Sequence, residues 1–343
     1  MFYNVKIAYL KMLKFNTFQG LLLLLLFFCI SCTKTKPKQY HLEGNVFGTH
    51  FSIHYTDSKR RNFERKFDSL FHLLNKSMST YLPTSDISRI NKGDSTVVVD
   101  ALFTEVFYKA DQIFKETVGV FDPTIGVLVN AWGFGPEDVE EIPDSLEIKH
   151  LLGYVGFDKV QLVKGKISKK HPQTYFDFNA IAKGYGVDLV GRFLEQQQIT
   201  NYLVEIGGEL RARGLNAKEG VWKIGIERPH FDHSRSIQKI VFLKNESMAT
   251  SGNYRKFKID VDTGEKYVHT IDTKTGYTAK RDLLSATVIA PLDCANVDGY
   301  ATAFMAMGFD KTKEFLTKHP NLKAFLIYAD DSGELKEFFT ANF

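Results

Sequence analysis

Tyr202-Leu203-Val204-Glu205-Ile206-Gly207-Gly208-Glu209-Leu210-Arg211-Ala212-Arg213-Gly214 reads as two short strands, 202–206 and 210–214, turned on a glycine pair. Aliphatic and aromatic residues suit the strands, and adjacent glycines suit the turn. Downstream, 221–227, 237–243, 255–261, 267–271 and 284–290 repeat the strand pattern. Upstream, 40–47 and 49–55 read as strands, and two helices follow. In 60–76, Phe63, Phe67, Leu70, Phe71 and Leu74 share one stripe; in 101–117, Phe103, Val106, Phe107, Ala110, Ile113 and Phe114 do the same. The segment 138–144, acidic and proline-bearing, reads as a loop. Residues 173–178 read as a strand running into a helix over about 180–197. Helices at 294–307 and 310–318 and strands at 323–328 and 335–339 close the chain. Helices and antiparallel-type strands in blocks predict an α+β fold. No linker interrupts the chain after Gln39, so 40–343 is expected to be a single catalytic unit.

The chain has 343 residues, 44% hydrophobic and 24% charged, which excludes a collagen, a disulfide scaffold and bulk disorder. The formal charge is +4, but residues 1–31 carry Lys6, Lys11 and Lys14 and no acid, so the remainder stands at +1. Such a balance gives no argument for nucleic acid. Residues 21–30 are an unbroken apolar run, followed by Ser31 and Cys32. Ten helical residues rise about 15 Å, half a ~30 Å hydrocarbon core, so this is a secretory signal rather than a span. Its end resembles a bacterial lipoprotein signal, which implies cleavage before Cys32, acylation of Cys32 and a tether over 32–39. An ordinary signal peptide with an incidental cysteine is the competing reading. Of Cys29, Cys32 and Cys294, only Cys294 would remain free in the mature chain, and it reads as a small buried residue.

Asp298 and Thr302 lie one helical turn apart in 294–307, where most neighbours are apolar or small. A carboxylate and a hydroxyl on such a helix are costly unless partnered. Oxygen ligation of a hard cation such as Mg²⁺ is one resolution; backbone bonding within the helix is the other. Phe176-Asp177-Phe178-Asn179-Ala180-Ile181-Ala182-Lys183-Gly184 places a helix N-terminus and a lysine together. This suits a phosphate, although an Asp–Asn pair there equally suits a plain cap. Gly207-Gly208-Glu209, Ser251-Gly252-Asn253-Tyr254, Phe121-Asp122-Pro123-Thr124 and Thr275-Gly276 each read alone as turns. His269 alone reads as a hydrogen-bonded structural histidine.

Taken in order, these segments resemble the ApbE family, the FAD:protein FMN transferases. The resemblance also rests on Met78-Ser79-Thr80-Tyr81, Ser85-Asp86-Ile87-Ser88, Asn130-Ala131-Trp132-Gly133-Phe134-Gly135-Pro136, Ala249-Thr250-Ser251-Gly252 and Asp298-Gly299-Tyr300-Ala301-Thr302-Ala303. It implies a T-fold-like arrangement of helices and largely antiparallel sheets. It further implies transfer of FMN from FAD to a threonine hydroxyl of a partner, with AMP released. Mg²⁺ ligands then map to Asp298, Thr302 and the carbonyl of Ala180. FAD contacts map to Met78, Tyr81, Val120, Phe121, Asp122, Asp177, Lys183 and Ile271, with Trp132 and Tyr254 as further candidates. His269 is the expected base and Asp272 its orienter. Partners implied are flavin-carrying subunits of the Na⁺-translocating NADH:quinone reductase and Rnf complexes, met by a lipid-anchored protein facing the periplasm. Asn179, Thr273 and Asn253 depart from the family pattern, which has Ser or Gly, Pro and Asp there. Two other readings use the same residues: an FAD pyrophosphatase with water as acceptor, and a non-catalytic flavin-binding lipoprotein.

Overall fold

The computed structural model describes residues 36–136, 139, 141–229, 236–253, 257–259, 266–279 and 281–343. The signal segment, Cys29, Cys32 and Tyr254 lie outside the described residues. Residues 39–56 and 61–343 form one compact unit, and among the described residues 36–38 with 57–60 form another, small one. In the small unit the Asp57 carboxylate accepts from the Lys59 amide at 3.1 Å.

The elements run β1 (Lys38–Val46), β2 (Thr49–Asp57), α1 (Glu64–Met78), α2 (Asp86–Asn91), α3 (Ala101–Glu116), α4 (Gly126–Ala131) and α5 (Ser145–Leu152). The hairpin β3 (Val160–Val163) and β4 (Lys166–Lys169) follows, then α6 (Ala182–Gln196), β5 (Tyr202–Ile206), β6 (Glu209–Arg213), β7 (Trp222–Glu227) and β8 (Ile237–Leu243). The chain ends with β9 (Ser247–Gly252), β10 (Phe257–Ile259), β11 (Lys266–Val268), β12 (Leu283–Ala290), α7 (Cys294–Met307), α8 (Phe309–Lys318), β13 (Lys323–Ala329) and β14 (Leu335–Phe339).

One sheet of eight strands, ordered β1-β2-β5-β6-β9-β12-β13-β14, is the frame, and its pairings from β2 to β14 are antiparallel. The α+β expectation therefore holds. Side chains alternate between two cores, as the period of a strand dictates. Tyr202, Val204 and Ile206 of β5 and Ala324 and Leu326 of β13 face the helices. Leu203, Phe325 and Ile327 face the other way, where the β7–β8 hairpin covers them with Ile226, Val241 and Leu243.

The expected stripe of α1 is buried at Phe67, Leu70, Phe71 and Leu74, and that of α3 at Phe103, Val106, Phe107, Ala110 and Ile113. Asp100 starts α3 by accepting from the Phe103 amide at 2.8 Å, as a helix N-cap should. In α7 every residue but Thr302 is buried, so this helix is apolar nearly all round because it runs through the core.

Two expectations need correction. Residues 173–178 are not a strand: a single bridge, Ile125 to Tyr175, marks the segment. Its backbone groups are taken instead by the Asn91 side chain, which donates to the Phe176 carbonyl at 2.9 Å and accepts from its amide at 2.8 Å. Ser251 and Gly252, read as the start of a turn, instead end β9 (Ser247–Gly252), a strand in the middle of the sheet that the sequence pattern did not predict.

α6 and α7 cross at Gly184. A Cβ there would lie 2.5 Å from the Cys294 carbonyl oxygen and 2.9 Å from the Ala295 Cα, both backbone atoms with nowhere to go. Gly184→Ala is expected to cost about 1–3 kcal/mol despite alanine's better helix propensity. Gly299→Ala is the control, because its Cβ would meet the movable end of Ile113 at 2.5 Å. Urea unfolding of the two variants should show the Gly184 change as clearly the worse.

Candidate active site

A cavity of about 1070 Å³ opens where the end of α1, the start of α6, the β5–β6 turn, β9 and α7 converge. That volume is at the top of the ~300–1,000 Å³ range of small-molecule sites. Each element's contribution follows from local chemistry. At the end of α1, the Ser85 hydroxyl accepts from the Ser88 amide and donates to the Ser79 carbonyl at 2.7 Å, and the Ser88 hydroxyl adds a second bond to that carbonyl at 3.2 Å. This pinned turn presents buried Met78 and exposed Tyr81 to the cavity.

Val120, Phe121 and Asp122 form part of the wall. The Asp122 carboxylate, however, is spent on its own loop: it accepts from the Thr124 amide and hydroxyl at 2.8 and 2.6 Å and from the Phe157 amide at 3.1 Å. Burial pushes its pKa up and these donors pull it back. Asp177 likewise accepts from the Asn179 amide at 2.7 Å while lining the cavity.

The polar end is built by α6, α7 and β6. Asp298 is 2% exposed and accepts from the Gly184 amide at 3.0 Å. Thr302, one turn on, is 3.3 Å from the Ser251 hydroxyl of β9. Lys183 reaches Glu209 at 2.6 Å. Burial alone would lower the Lys183 pKa, but the Asp298 and Glu209 carboxylates raise it and keep the ammonium charged. Burial raises the Asp298 pKa, with Lys183 opposing. Glu209, which the sequence left inside a glycine turn, is thus part of the site. Its Oε1 holds Lys183, and its buried Oε2 has no hydrogen-bond partner.

Lys183, Asp298, Thr302 and Ala180 all border this cavity. A carboxylate, a hydroxyl and a carbonyl are an all-oxygen donor set, which suits a hard divalent cation such as Mg²⁺. Among the described residues no group of three His, Cys, Asp or Glu side chains could hold a metal. An ion here therefore draws on hydroxyl and carbonyl oxygens as well as on Asp298, and the residues present fit Mg²⁺.

His269 and Ile271 also line the cavity. Asp272 does not, and its carboxylate is committed elsewhere: it accepts from the Lys274 and Thr275 amides at 2.8 and 3.2 Å and pairs with Arg281. Trp132 is not a lining residue either; its Nε1 donates to the Gly276 carbonyl at 2.9 Å and braces the turn at 272–276. The departures from the family pattern have local uses. The Thr273 hydroxyl donates to the Gly119 carbonyl at 2.7 Å, a bond no proline could make, and Asn253 accepts from Thr270 at 2.8 Å.

The ApbE family model matches residues 47–326. The FAD:protein FMN transferase of Haemophilus influenzae is 35% identical over 327 residues, covering 92% of this chain and 93% of its own. That of Vibrio cholerae is 36% identical over 318 residues, covering 90% and 93%. Among solved structures, the flavin transferase ApbE from Vibrio cholerae matches with a TM-score of 0.80 at 33% identity, over 90% of this chain and 98% of that one. The chain belongs to the ApbE family.

Proposed function

We infer that the chain is an FAD:protein FMN transferase, moving the FMN moiety of FAD onto a threonine hydroxyl of a partner protein. The observation that carries this reading is one large cavity with an apolar wall at Met78 and Ile271 and a polar end at Lys183, Asp298 and Thr302. A dinucleotide needs both surfaces at once: apolar area for its rings and cationic charge for its pyrophosphate.

In the transfer, a bond forms between the threonine oxygen and the FMN-side phosphorus, the bond to the AMP-side oxygen breaks, and AMP leaves. The hydroxyl proton goes to His269, the cavity-lining group whose residue type titrates near neutrality. Glu209 fixes the Lys183 ammonium, so its charge is in place before the pyrophosphate arrives and needs no reorganisation during reaction. Asp298, Thr302 and the Ala180 carbonyl would hold Mg²⁺, which when bound neutralises charge on the pyrophosphate. Tyr81, half-exposed at the cavity, and Met78 offer ring and thioether surface to the flavin. Asp272 has no part in this scheme, because Arg281 and two amides occupy its carboxylate.

The partner class we propose is the flavin-carrying subunit of Na⁺-translocating NADH:quinone reductase or Rnf complexes. We place the enzyme in the cell envelope, facing the periplasm and anchored through Cys32. The test mixes the mature protein with FAD, Mg²⁺ and such an acceptor domain and reads intact mass. A covalent FMN increment, lost in the acceptor Thr→Ala control, is expected. Free FMN and AMP produced equally well without acceptor would instead identify an FAD pyrophosphatase.

A further inference from the structure

A second depression, about 260 Å³, adjoins the cavity and shares Val120, Thr273 and Ala306 with it. It lies between the end of α3, the turn at 272–274 and α8. Its charges do not cancel. Asp272 is paired with Arg281, and Glu116 accepts from the Tyr300 hydroxyl and from Gln112. Lys274, Lys311 and Lys318 are exposed, border the depression and form no ion pair among the described residues. Glu116, whose donors are uncharged, and Glu314 stand against those three cations, which leaves the depression net positive.

The rim carries a second unusual feature. Val118 is 77% exposed, and its φ is +52°. A β-branched side chain is strained in that region, and such strain persists where the surroundings impose it, often at functional sites. Here the surroundings are the Gly119 amide on the Phe114 carbonyl at 2.8 Å and the Thr273 hydroxyl on the Gly119 carbonyl at 2.7 Å. An apolar side chain is therefore held out to solvent beside three unpaired cations.

Resting on the transferase reading, we propose that this depression is the docking site of the acceptor polypeptide. The nucleophile belongs to a folded protein, so the chain on either side of its threonine must leave the cavity across a rim. The rim at Thr273 and Ala306 leads into this depression. The occupant is an extended acidic segment: its carboxylates meet Lys274, Lys311 and Lys318, and an apolar side chain covers Val118. The flanking segment then sets which threonine enters.

The test compares the full mature protein with Lys311→Glu/Lys318→Glu, using FAD, Mg²⁺ and a soluble acceptor domain of a Na⁺-translocating NADH:quinone reductase. The expected result is an acceptor KM raised about tenfold or more, with kcat and the KM for FAD unchanged. Raising salt should weaken the wild type toward the variant, and Lys→Arg at both positions should behave as wild type. Val118→Gly should melt at a higher temperature, because glycine accepts this φ, and should also raise the acceptor KM. An acceptor KM within twofold of wild type in both variants overturns the docking site. So does a change confined to the KM for FAD, which would make the depression a nucleotide exit. Wild-type protein that leaves the acceptor unmodified overturns the transferase reading and this proposal together.

Discussion

Asp298→Ala is expected to abolish FMN transfer, with a loss of at least 10²–10³ in rate, the usual scale for one electrostatic group at the reacting centre. The residue is 2% exposed, anchored by the Gly184 amide at 3.0 Å and set in the same cavity end as Lys183 and Glu209. Asp298→Asn separates charge from packing. Asparagine still accepts from Gly184, so the α6–α7 contact survives while the carboxylate charge is removed. Both variants should lose turnover. Without Mg²⁺, the Asn variant should melt no lower than wild type, because a buried carboxylate is costly and Lys183 keeps Glu209 as its partner. Near-wild-type rates at saturating FAD and Mg²⁺ would remove Asp298 from the metal assignment.

The parts of this site that lie on one element were legible in the sequence. The i, i+4 spacing puts Asp298 and Thr302 on one face of a helix, and the structure sets both on the cavity. What joins different elements was not legible. Glu209 sits in a glycine turn by sequence, and only the folding of β6 against α6 brings it to Lys183. Asp272 was expected to orient His269, but it is taken by Arg281, nine residues on, together with two amides. Spacing cannot say which donor wins such a competition.

The fold shows the same division. Strands β5 and β8 and helix α7 have the bounds their patterns predict, because aliphatic periodicity is strong there. β9 was missed because Ser247-Met248-Ala249-Thr250-Ser251-Gly252, Met248 apart, is made of small residues and ends in a turn-favouring Ser-Gly pair. Those residues are small for a tertiary reason: α7 lies on this strand, and Ser251 must fit against Thr302. The misread strand at 173–178 has the right composition, but its hydrogen bonds go to a side-chain amide rather than to a ladder.

Arg211→Met is expected to destabilise the protein by about 3–5 kcal/mol, the scale of breaking a buried ion pair from one side. Arg211 is 5% exposed on β6. It donates to Asp188 at 2.7 Å, to Asp293 at 2.8 Å, to Glu195 at 3.1 Å and to the Tyr202 hydroxyl at 3.0 Å. Asp293 keeps Lys109 at 2.8 Å and Arg192 at 2.7 Å after the change, whereas Asp188 loses its cation. Asp188 also caps α7 by accepting from the Cys294 and Ala295 amides at 2.8 and 2.9 Å, so its fate reaches the helix that carries Asp298. Burial, aided by Asp293, already holds the Asp188 pKa up at about 6, from an ordinary 3.8, with Arg211 opposing. A carboxyl whose pKa is higher folded than unfolded binds its proton more tightly in the native state. Its contribution to stability is therefore greatest at low pH and falls as pH rises from about 3.8 to about 6. Removing Arg211 moves the folded value higher still and extends that fall toward neutrality. The deficit of Arg211→Met relative to wild type should consequently be larger at pH 8 than at pH 5, which urea unfolding at the two pH values measures. Adding Asp188→Asn to Arg211→Met should recover part of the loss at pH 8, because a neutral amide can still accept from an α7 amide. A deficit equal at both pH values, or no recovery in the double variant, would show that Arg211 acts through packing rather than as the counter-ion of Asp188.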